Sequence, residues 1–306
     1  MKNFNIDKVI ENIGKKLSGG KIETNLPMSK MTTFRIGGSA DVVYTAASEQ
    51  ELADVVKYLT TENIPYFSLG GGSNLLVRDS GYRGVVIRAG EKLSQISVNG
   101  KTVVAGAGAR LSALSSAAVG ASLSGLEFAS GIPGSVGGAL MMNAGAYDME
   151  IKDTVKSARA VMPDGNIRNF TIEEMQLSYR HSAFMENDAI IVSVEFELSE
   201  GDKDEIMAKI KDLNEKRRKK QPLEYPSAGS TFKRPENNFA GKLIEESGCS
   251  NLSCGGARVS PKHAGFIVND NNATAADVLN LIELVKIRVM ETSGVELEPE
   301  IHIIGE

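Results

Sequence analysis

Three stretches of the chain carry apolar residues at helical spacing. In the first, Ser48-Glu49-Gln50-Glu51 reads as a capping box, and Leu52, Val55, Val56 and Leu59 follow on one face. Asn63-Ile64-Pro65 ends that helix, because the residue before a proline is pushed out of the helical region. In the second, Ile206, Ile210 and Leu213 recur from Asp204 onward, and the helix closes in Lys216-Arg217-Arg218-Lys219-Lys220. In the third, Thr274-Ala275-Ala276-Asp277 opens a helix with Val278, Ile282, Val285 and Val289 along its stripe. Strands are predicted at Gly84–Arg88, Lys101–Ala105, Ile190–Leu198 and Gly265–Val268. Tyr66–Leu69 predicts a short buried strand that runs into glycines. The polar segment Ser199–Asp204 holds no apolar residue and marks a boundary. The pattern therefore predicts an α+β protein in two parts, the first itself divided, with segments 1–88, 89–199 and 200–306.

Composition narrows the class. At 306 residues and 42% hydrophobic content the chain can build a sizeable core, which excludes wholesale disorder. A net charge of −5 argues against a dedicated nucleic-acid binder, which would carry a clustered basic excess. The basic run at 216–220 sits at a helix C-terminus, where cations meet the negative end of the dipole; the alternative is long-range attraction of an anionic substrate. The N-terminal MKNFNIDKVIENIGKKL has no apolar secretory core, and no apolar run is long enough to insert in a membrane, so a cytoplasmic protein is expected. Cys249 and Cys254 lack the second ligand pair of a structural zinc site and read as reduced thiols. His181, His263 and His302 are scattered, so no metal centre is expected.

Glycine changes the picture. There are 31 glycines against 9 prolines, without any collagen period, which points to backbone that approaches something closely. Leu69-Gly70-Gly71-Gly72-Ser73-Asn74-Leu75 follows a predicted strand and offers successive N–H groups that suit phosphate oxygens. It is not a Walker A loop, since no Gly-Lys-Ser/Thr follows, and it lacks the Rossmann spacing. The nearest approach to that spacing, Gly106-Ala107-Gly108-Ala109-Arg110-Leu111, has leucine in place of the third glycine. A second segment contains Ser130-Gly131-Ile132-Pro133-Gly134-Ser135-Val136-Gly137-Gly138 and continues into Asn143-Ala144-Gly145-Ala146. Two such loops imply one long ligand with a pyrophosphate in its middle, and a dinucleotide fits.

Taken together, these loops resemble the UDP-N-acetylenolpyruvoylglucosamine reductase family. The likeness extends to Leu177-Ser178-Tyr179-Arg180-His181-Ser182, Ala228-Gly229-Ser230-Thr231-Phe232-Lys233 and Leu297-Glu298-Pro299-Glu300, and covers nearly the whole chain. The resemblance implies an FAD-binding domain of the PCMH/vanillyl-alcohol-oxidase type, made of two subdomains, followed by an α+β substrate-binding domain. It implies non-covalent FAD, and neither glycine-rich loop holds a His or Cys that could carry a covalent link. Of the family's two types, the chain resembles the one without an extra tyrosine-bearing loop, given the short connection between Arg180 and Ile190.

The reaction implied is the reduction of a UDP-linked enolpyruvyl amino sugar to UDP-N-acetylmuramate for peptidoglycan. NADPH gives a hydride to the flavin, which passes it to C3 of the substrate, while C2 takes a proton. By resemblance, Arg180 holds the substrate carboxylate through its planar fork, Glu300 assists there, and Ser230 donates the proton. Glu300 is preferred to Glu298 because Ile301-His302-Ile303-Ile304-Gly305 follows it. Lys233, Arg234 and Lys242 are candidate contacts to the UDP, and Tyr225 could stack on or hydrogen-bond the substrate. Two rivals stand beside this reading: another flavin-dependent oxidase of the same fold acting on a carbohydrate or alcohol, and a non-catalytic nucleotide-binding module.

Overall fold

The computed structural model describes residues 4–306. The chain forms two compact units. The first comprises the residues up to Thr24, Asp41–Gly71 and Gly84–Lys216; the second comprises Asn25–Ala40, Gly72–Arg83 and Arg217–Glu306. These units do not follow linear cuts at 88/89 and 199/200. The segment after Ser199 stays with the first unit as far as Lys216, and two short early segments join the second.

In the first unit the α-helices are α1 (Ile6–Gly14), α2 (Glu49–Thr61), α3 (Leu111–Gly120), α4 (Val136–Met141) and most of α5 (Lys203–Lys220). Ser48 caps α2, accepting a hydrogen bond from the Glu51 N–H at 3.3 Å, and Leu52, Val55, Val56 and Leu59 are all buried. The Glu51 side chain does not reach back to close the capping box. Its buried carboxylate accepts instead from the backbone N–H groups of Ser18, Gly20 and Ala47 and from the hydroxyls of Ser18 and Tyr44. Burial pushes that carboxyl up, but those hydrogen bonds outweigh it and hold it below the ordinary carboxylate range.

One sheet of this unit is antiparallel, with strand order Ile167–Thr171, Val155–Val161, Ile190–Glu197, Thr102–Gly106, Ile96–Asn99. Its core joins Phe170, Phe184, Val194 and Phe196 to Leu111 and Leu114 of α3 and Val136 and Leu140 of α4. A second sheet has the order Lys21–Pro27, Ser39–Ala46, Tyr82–Ala89, Tyr66–Leu69. The strand Tyr66–Leu69 lies at its edge, paired in parallel with Val85–Arg88. It is not the buried strand expected: only Leu69 is buried and Ser68 is exposed, because an edge strand has a neighbour on one side alone.

In the second unit the helices α6 (Ala240–Glu246) and α7 (Ala275–Ser293) pack on the antiparallel strands Ser253–Cys254, Ala257–Val259 and Ile267–Asn269. A full capping box of Thr274 and Asp277 starts α7, and the Asp79 carboxylate accepts the N–H groups of Ala275 and Ala276 at 2.8 and 3.0 Å. Gly294, left-handed at φ +70°, ends it. Val278, Ile282, Val285 and Val289 are buried, and each such aliphatic side chain contributes about 1.5–3 kcal/mol. The strand His302–Ile304 pairs in parallel with Leu75–Val77. Among the described residues, no helix is long and apolar enough to cross a membrane.

Candidate functional site

The two glycine-rich loops, distant in sequence, meet inside the first unit. A Cβ on Gly70 would stand 2.5 Å from the Ser135 hydroxyl, and one on Gly71 would stand 2.6 Å from the Gly134 Cα. Neither approach leaves room for a side chain. Among the described residues, the N–H groups of Gly71, Gly134 and Ser135 meet no protein acceptor. A cradle lined by backbone amides, with side chains excluded by contact, fits the pyrophosphate of a dinucleotide such as FAD.

The other loop residues divide by what their polar groups already do. Ser130 Oγ donates to the Glu127 carbonyl at 2.9 Å and accepts from Asn214 of α5 at 3.3 Å. Ile132 N–H donates to the Ala129 carbonyl and leads into Pro133 and the left-handed Gly134 (φ +135°). Ser135 caps α4, its hydroxyl accepting from the Gly138 N–H. Gly137 serves packing, since its Cβ would stand 2.8 Å from that of Ala107, and its N–H donates to the Ala107 carbonyl. Ala144 N–H donates to the Ala139 carbonyl, and Gly145-Ala146 pairs with Met149-Glu150 across a turn in which Tyr147 and Asp148 are both left-handed. The Asn143 side chain is fully buried and makes three hydrogen bonds to protein. The next stretch belongs to the second unit. There Gly72 is left-handed at φ +61°, Asn74 Nδ2 donates to the Glu300 carbonyl at 3.1 Å, and Leu75 is buried opposite His302. Ser73 leads into that pairing.

Arg180 lies in the first unit, at the second central position of a turn closed by reciprocal 3.2 Å hydrogen bonds between Ser178 and His181. Its backbone is left-handed, φ +55°, unusual for a side chain of this size, and its guanidinium lies over the Tyr179 ring at 5.0 Å.

In the second unit Thr231, the residue after Ser230, pairs with Glu300. Thr231 donates its N–H to the Gly265 carbonyl and accepts the Glu300 N–H, both at 2.8 Å, and its buried hydroxyl accepts the Ile267 N–H at 3.0 Å. Phe232 bridges Pro299. Ser230, half-buried, therefore stands one residue from a position locked from two sides, after the left-handed Gly229 (φ +79°). Glu298 and Glu300 separate in role. Glu298 is exposed and takes Lys233 as an ion pair at 3.0 Å, whereas Glu300 is half-buried.

The remaining candidate contacts are held by neighbours. Lys242 faces Glu246 at 3.7 Å, Arg234 lies over the Phe239 ring at 4.2 Å, and Arg258 lies 5.4 Å from the Tyr225 centroid while pairing with Asp270. Lys233 and Lys242 are thus paired cations rather than open phosphate ligands, although exposed pairs of this kind are weak and exchange readily.

Sequence reasoning missed two residues. His263 lies beside the Thr231 ladder: its Nδ1 accepts the Gly265 N–H at 3.1 Å, which leaves the other ring nitrogen to carry the proton, and burial holds it below the ordinary histidine range. Glu127, also buried, accepts from the Ser124 hydroxyl and the Gly125 N–H beneath the second glycine loop. The hydrogen-bond partners of both lie within three residues in sequence, but the burial of Glu127 and the place of His263 beside the Thr231 ladder are set by the fold. Among the described residues, no group of three or more His, Cys, Asp or Glu is placed to hold a metal ion.

Comparisons with known proteins give the family. Residues 40–171 match a family model described as FAD binding domain, and residues 221–304 match one described as UDP-N-acetylenolpyruvoylglucosamine reductase, C-terminal domain. The UDP-N-acetylenolpyruvoylglucosamine reductase of Syntrophomonas wolfei subsp. wolfei is 50% identical over 94% of this chain and 96% of its own length. That of Caldanaerobacter subterraneus subsp. tengcongensis is 48% identical over 97% and 98%. The crystal structure of the Thermus caldophilus enzyme superposes with a TM-score of 0.82 at 36% identity, covering 94% of this chain and all of that one.

Proposed function

Because this chain belongs to the UDP-N-acetylenolpyruvoylglucosamine reductase family, we propose that it reduces UDP-N-acetyl-3-O-enolpyruvylglucosamine to UDP-N-acetylmuramate with NADPH, as a cytoplasmic step of peptidoglycan synthesis. The observation that carries this reading is the cradle of Gly70-Gly71 against Gly134-Ser135, in a chain whose second unit also pairs Thr231, next to Ser230, with Glu300. Held non-covalently by the amides of Gly71, Gly134 and Ser135, FAD would supply two-electron hydride chemistry between NADPH and the substrate. The protein holds the cofactor through amides and selects the substrate.

Arg180 offers a planar fork to the substrate carboxylate and stabilises negative charge as it develops there. Ser230 holds the proton for C2 on its hydroxyl, and Glu300 assists at the carboxylate. Tyr225, Arg234, Lys233 and Lys242 form the rim toward the UDP, where exchange of a lysine from its carboxylate partner to a phosphate costs little. A related flavin oxidase of alcohols or carbohydrates would share the cradle but would have no use for Ser230 as a proton donor or Glu300 at a carboxylate.

Two measurements test the reading in sequence. The purified protein, or its apo form after adding FAD, should show visible flavin absorbance that NADPH bleaches without oxygen. Product analysis after adding the enolpyruvyl nucleotide should then find the lactyl ether. A protein that takes up no FAD would sink the flavoenzyme reading, while a bleachable flavin without lactyl ether would sink the substrate alone.

A further inference from the structure

The turn that carries Arg180 does not stand by itself. Asn143, two residues after the end of α4, is completely buried, and its side chain joins three segments of the first unit. Its Oδ1 accepts the Lys152 N–H at 2.9 Å. Its Nδ2 donates to the Ser178 carbonyl at 2.9 Å and to a Glu150 carboxylate oxygen at 3.1 Å. This pattern fixes the amide's orientation, because one end meets a donor and the other meets two acceptors. Only asparagine, among side chains of this size, satisfies both, and it also tolerates the left-handed backbone found here at φ +40°. On the other side of the turn Ser182, also fully buried, donates its hydroxyl to the Met141 carbonyl at 2.7 Å. The backbone at the end of α4 thus grips the segment before Arg180 through Asn143 and the segment after it through Ser182. Between these two anchors lies the left-handed Arg180, whose conformation a free turn would not keep.

We propose that Asn143 and Ser182 are positioning residues for Arg180, fixing the guanidinium where it meets the substrate carboxylate, rather than contacts to the cofactor. The inference rests on the reading of Arg180 as the carboxylate clamp. It makes the same short helix serve twice: its capped start belongs to the pyrophosphate cradle, and the chain just past its end carries the arginine turn.

A double-mutant cycle tests it. Wild type, Asn143→Asp, Ser182→Ala, Arg180→Ala and the two doubles with Arg180→Ala are each loaded with FAD and reduced by NADPH. Flavin reoxidation by the enolpyruvyl nucleotide is then followed without oxygen. Asn143→Asp places an oxygen against the Ser178 carbonyl and should slow reoxidation by about 10²-fold, the loss typical of a displacement near 1 Å. Ser182→Ala removes one hydrogen bond and should slow it by up to about tenfold. FAD affinity and the rate of reduction by NADPH should stay at their wild-type values. In the Arg180→Ala background neither substitution should add a further loss, because a residue that acts through Arg180 has nothing left to position. Calorimetric binding of UDP-N-acetylmuramate should follow the same pattern: weakened by either substitution in wild type, unaffected by it in Arg180→Ala.

Equal losses in both backgrounds, or a loss of FAD affinity instead, would overturn the proposal; so would wild-type reoxidation in both single variants. If Asn143→Asp fails to fold, the Ser182→Ala cycle decides alone. Wild-type reoxidation in Arg180→Ala would overturn the clamp reading itself and the proposal with it, an outcome distinct from additive losses.

Discussion

The cradle makes a quantitative demand on Gly71. A Cβ built there stands 2.6 Å from the Gly134 Cα, 3.0 Å from the Gly134 carbonyl carbon and 3.2 Å from the Ser135 nitrogen. All three are backbone atoms, so no side-chain rotation relieves the overlap. Gly71 is not among the glycines with positive φ, so the constraint is one of space rather than of conformation. Carbon atoms pack best at about 3.5–4.0 Å, so Gly71→Ala must part the two loops by about 1 Å. A retreat of that size carries the Gly134 and Ser135 N–H groups out of hydrogen-bond reach of a pyrophosphate, since such bonds form near 2.9 Å and fail by about 3.5 Å. Two bonds to a charged group are worth roughly 3–6 kcal/mol together, and partial relaxation of the loops recovers some of that. The expected loss of FAD affinity is therefore about 10²-fold at least. Equilibrium dialysis of the apoprotein against FAD measures it. Gly120→Ala is the matched control: no atom lies within 4 Å of a Cβ at that helix end, so affinity should not change. If Gly71→Ala folds, by circular dichroism, and binds FAD as wild type does, the pyrophosphate lies elsewhere and the cradle argument fails.

Arg180→Lys keeps the charge but loses the fork, so turnover on the enolpyruvyl nucleotide should fall clearly; wild-type turnover would make the arginine a structural residue. Ser230→Ala should leave bleaching by NADPH unchanged and slow reoxidation by roughly 10²–10⁴-fold, the range for a lost general acid, and fast reoxidation in stopped flow would move the proton donor to another group. Glu51→Gln should lower stability at neutral pH by about 1.5–3 kcal/mol, because a charged acceptor of five hydrogen bonds is replaced by a neutral one. The Glu51 carboxyl is held below its usual range when folded, so its contribution is full above the unfolded value of about 4.3 and is lost as pH falls through the folded one. Urea titrations across that acid limb should show a shallower slope in the variant, and an identical slope would refute the assignment.

The helices α2, α5 and α7 were legible because their periodicity is local: each stripe is written at i, i+3 and i+4, and the caps at Ser48 and Thr274 precede it directly. What failed was decided at a distance. Tyr66–Leu69 reads as buried from its residues, yet its exposure follows from its place at the edge of a sheet, and strand order is not written in four residues. The same holds for Glu51. Its position predicted a capping role, which Ser48 fulfils from its own side, but the carboxylate is drawn to Ser18 and Gly20, more than 30 residues earlier. Lysines show the divide within one pair of residues. Lys242–Glu246 could have been foreseen from i,i+4 spacing, whereas Lys233–Glu298 spans 65 positions.

The glycine loops stood out because glycine marks the absence of a side chain, and absence at Gly71 is what lets two backbones touch. Composition can announce such a contact without naming its partners. Asn143 shows the opposite case. It sits in a glycine-rich motif, and its neighbours led to a ligand-binding assignment by association. Yet a ligand could take an N–H of its amide only by breaking one of two hydrogen bonds in a fully buried setting, where an acceptor left unpaired costs about 1–3 kcal/mol. An amide so fully engaged specifies geometry more than it recognises anything. On the proposal above, Asn143 is needed for the arginine turn it holds rather than for the phosphate beside which it is written.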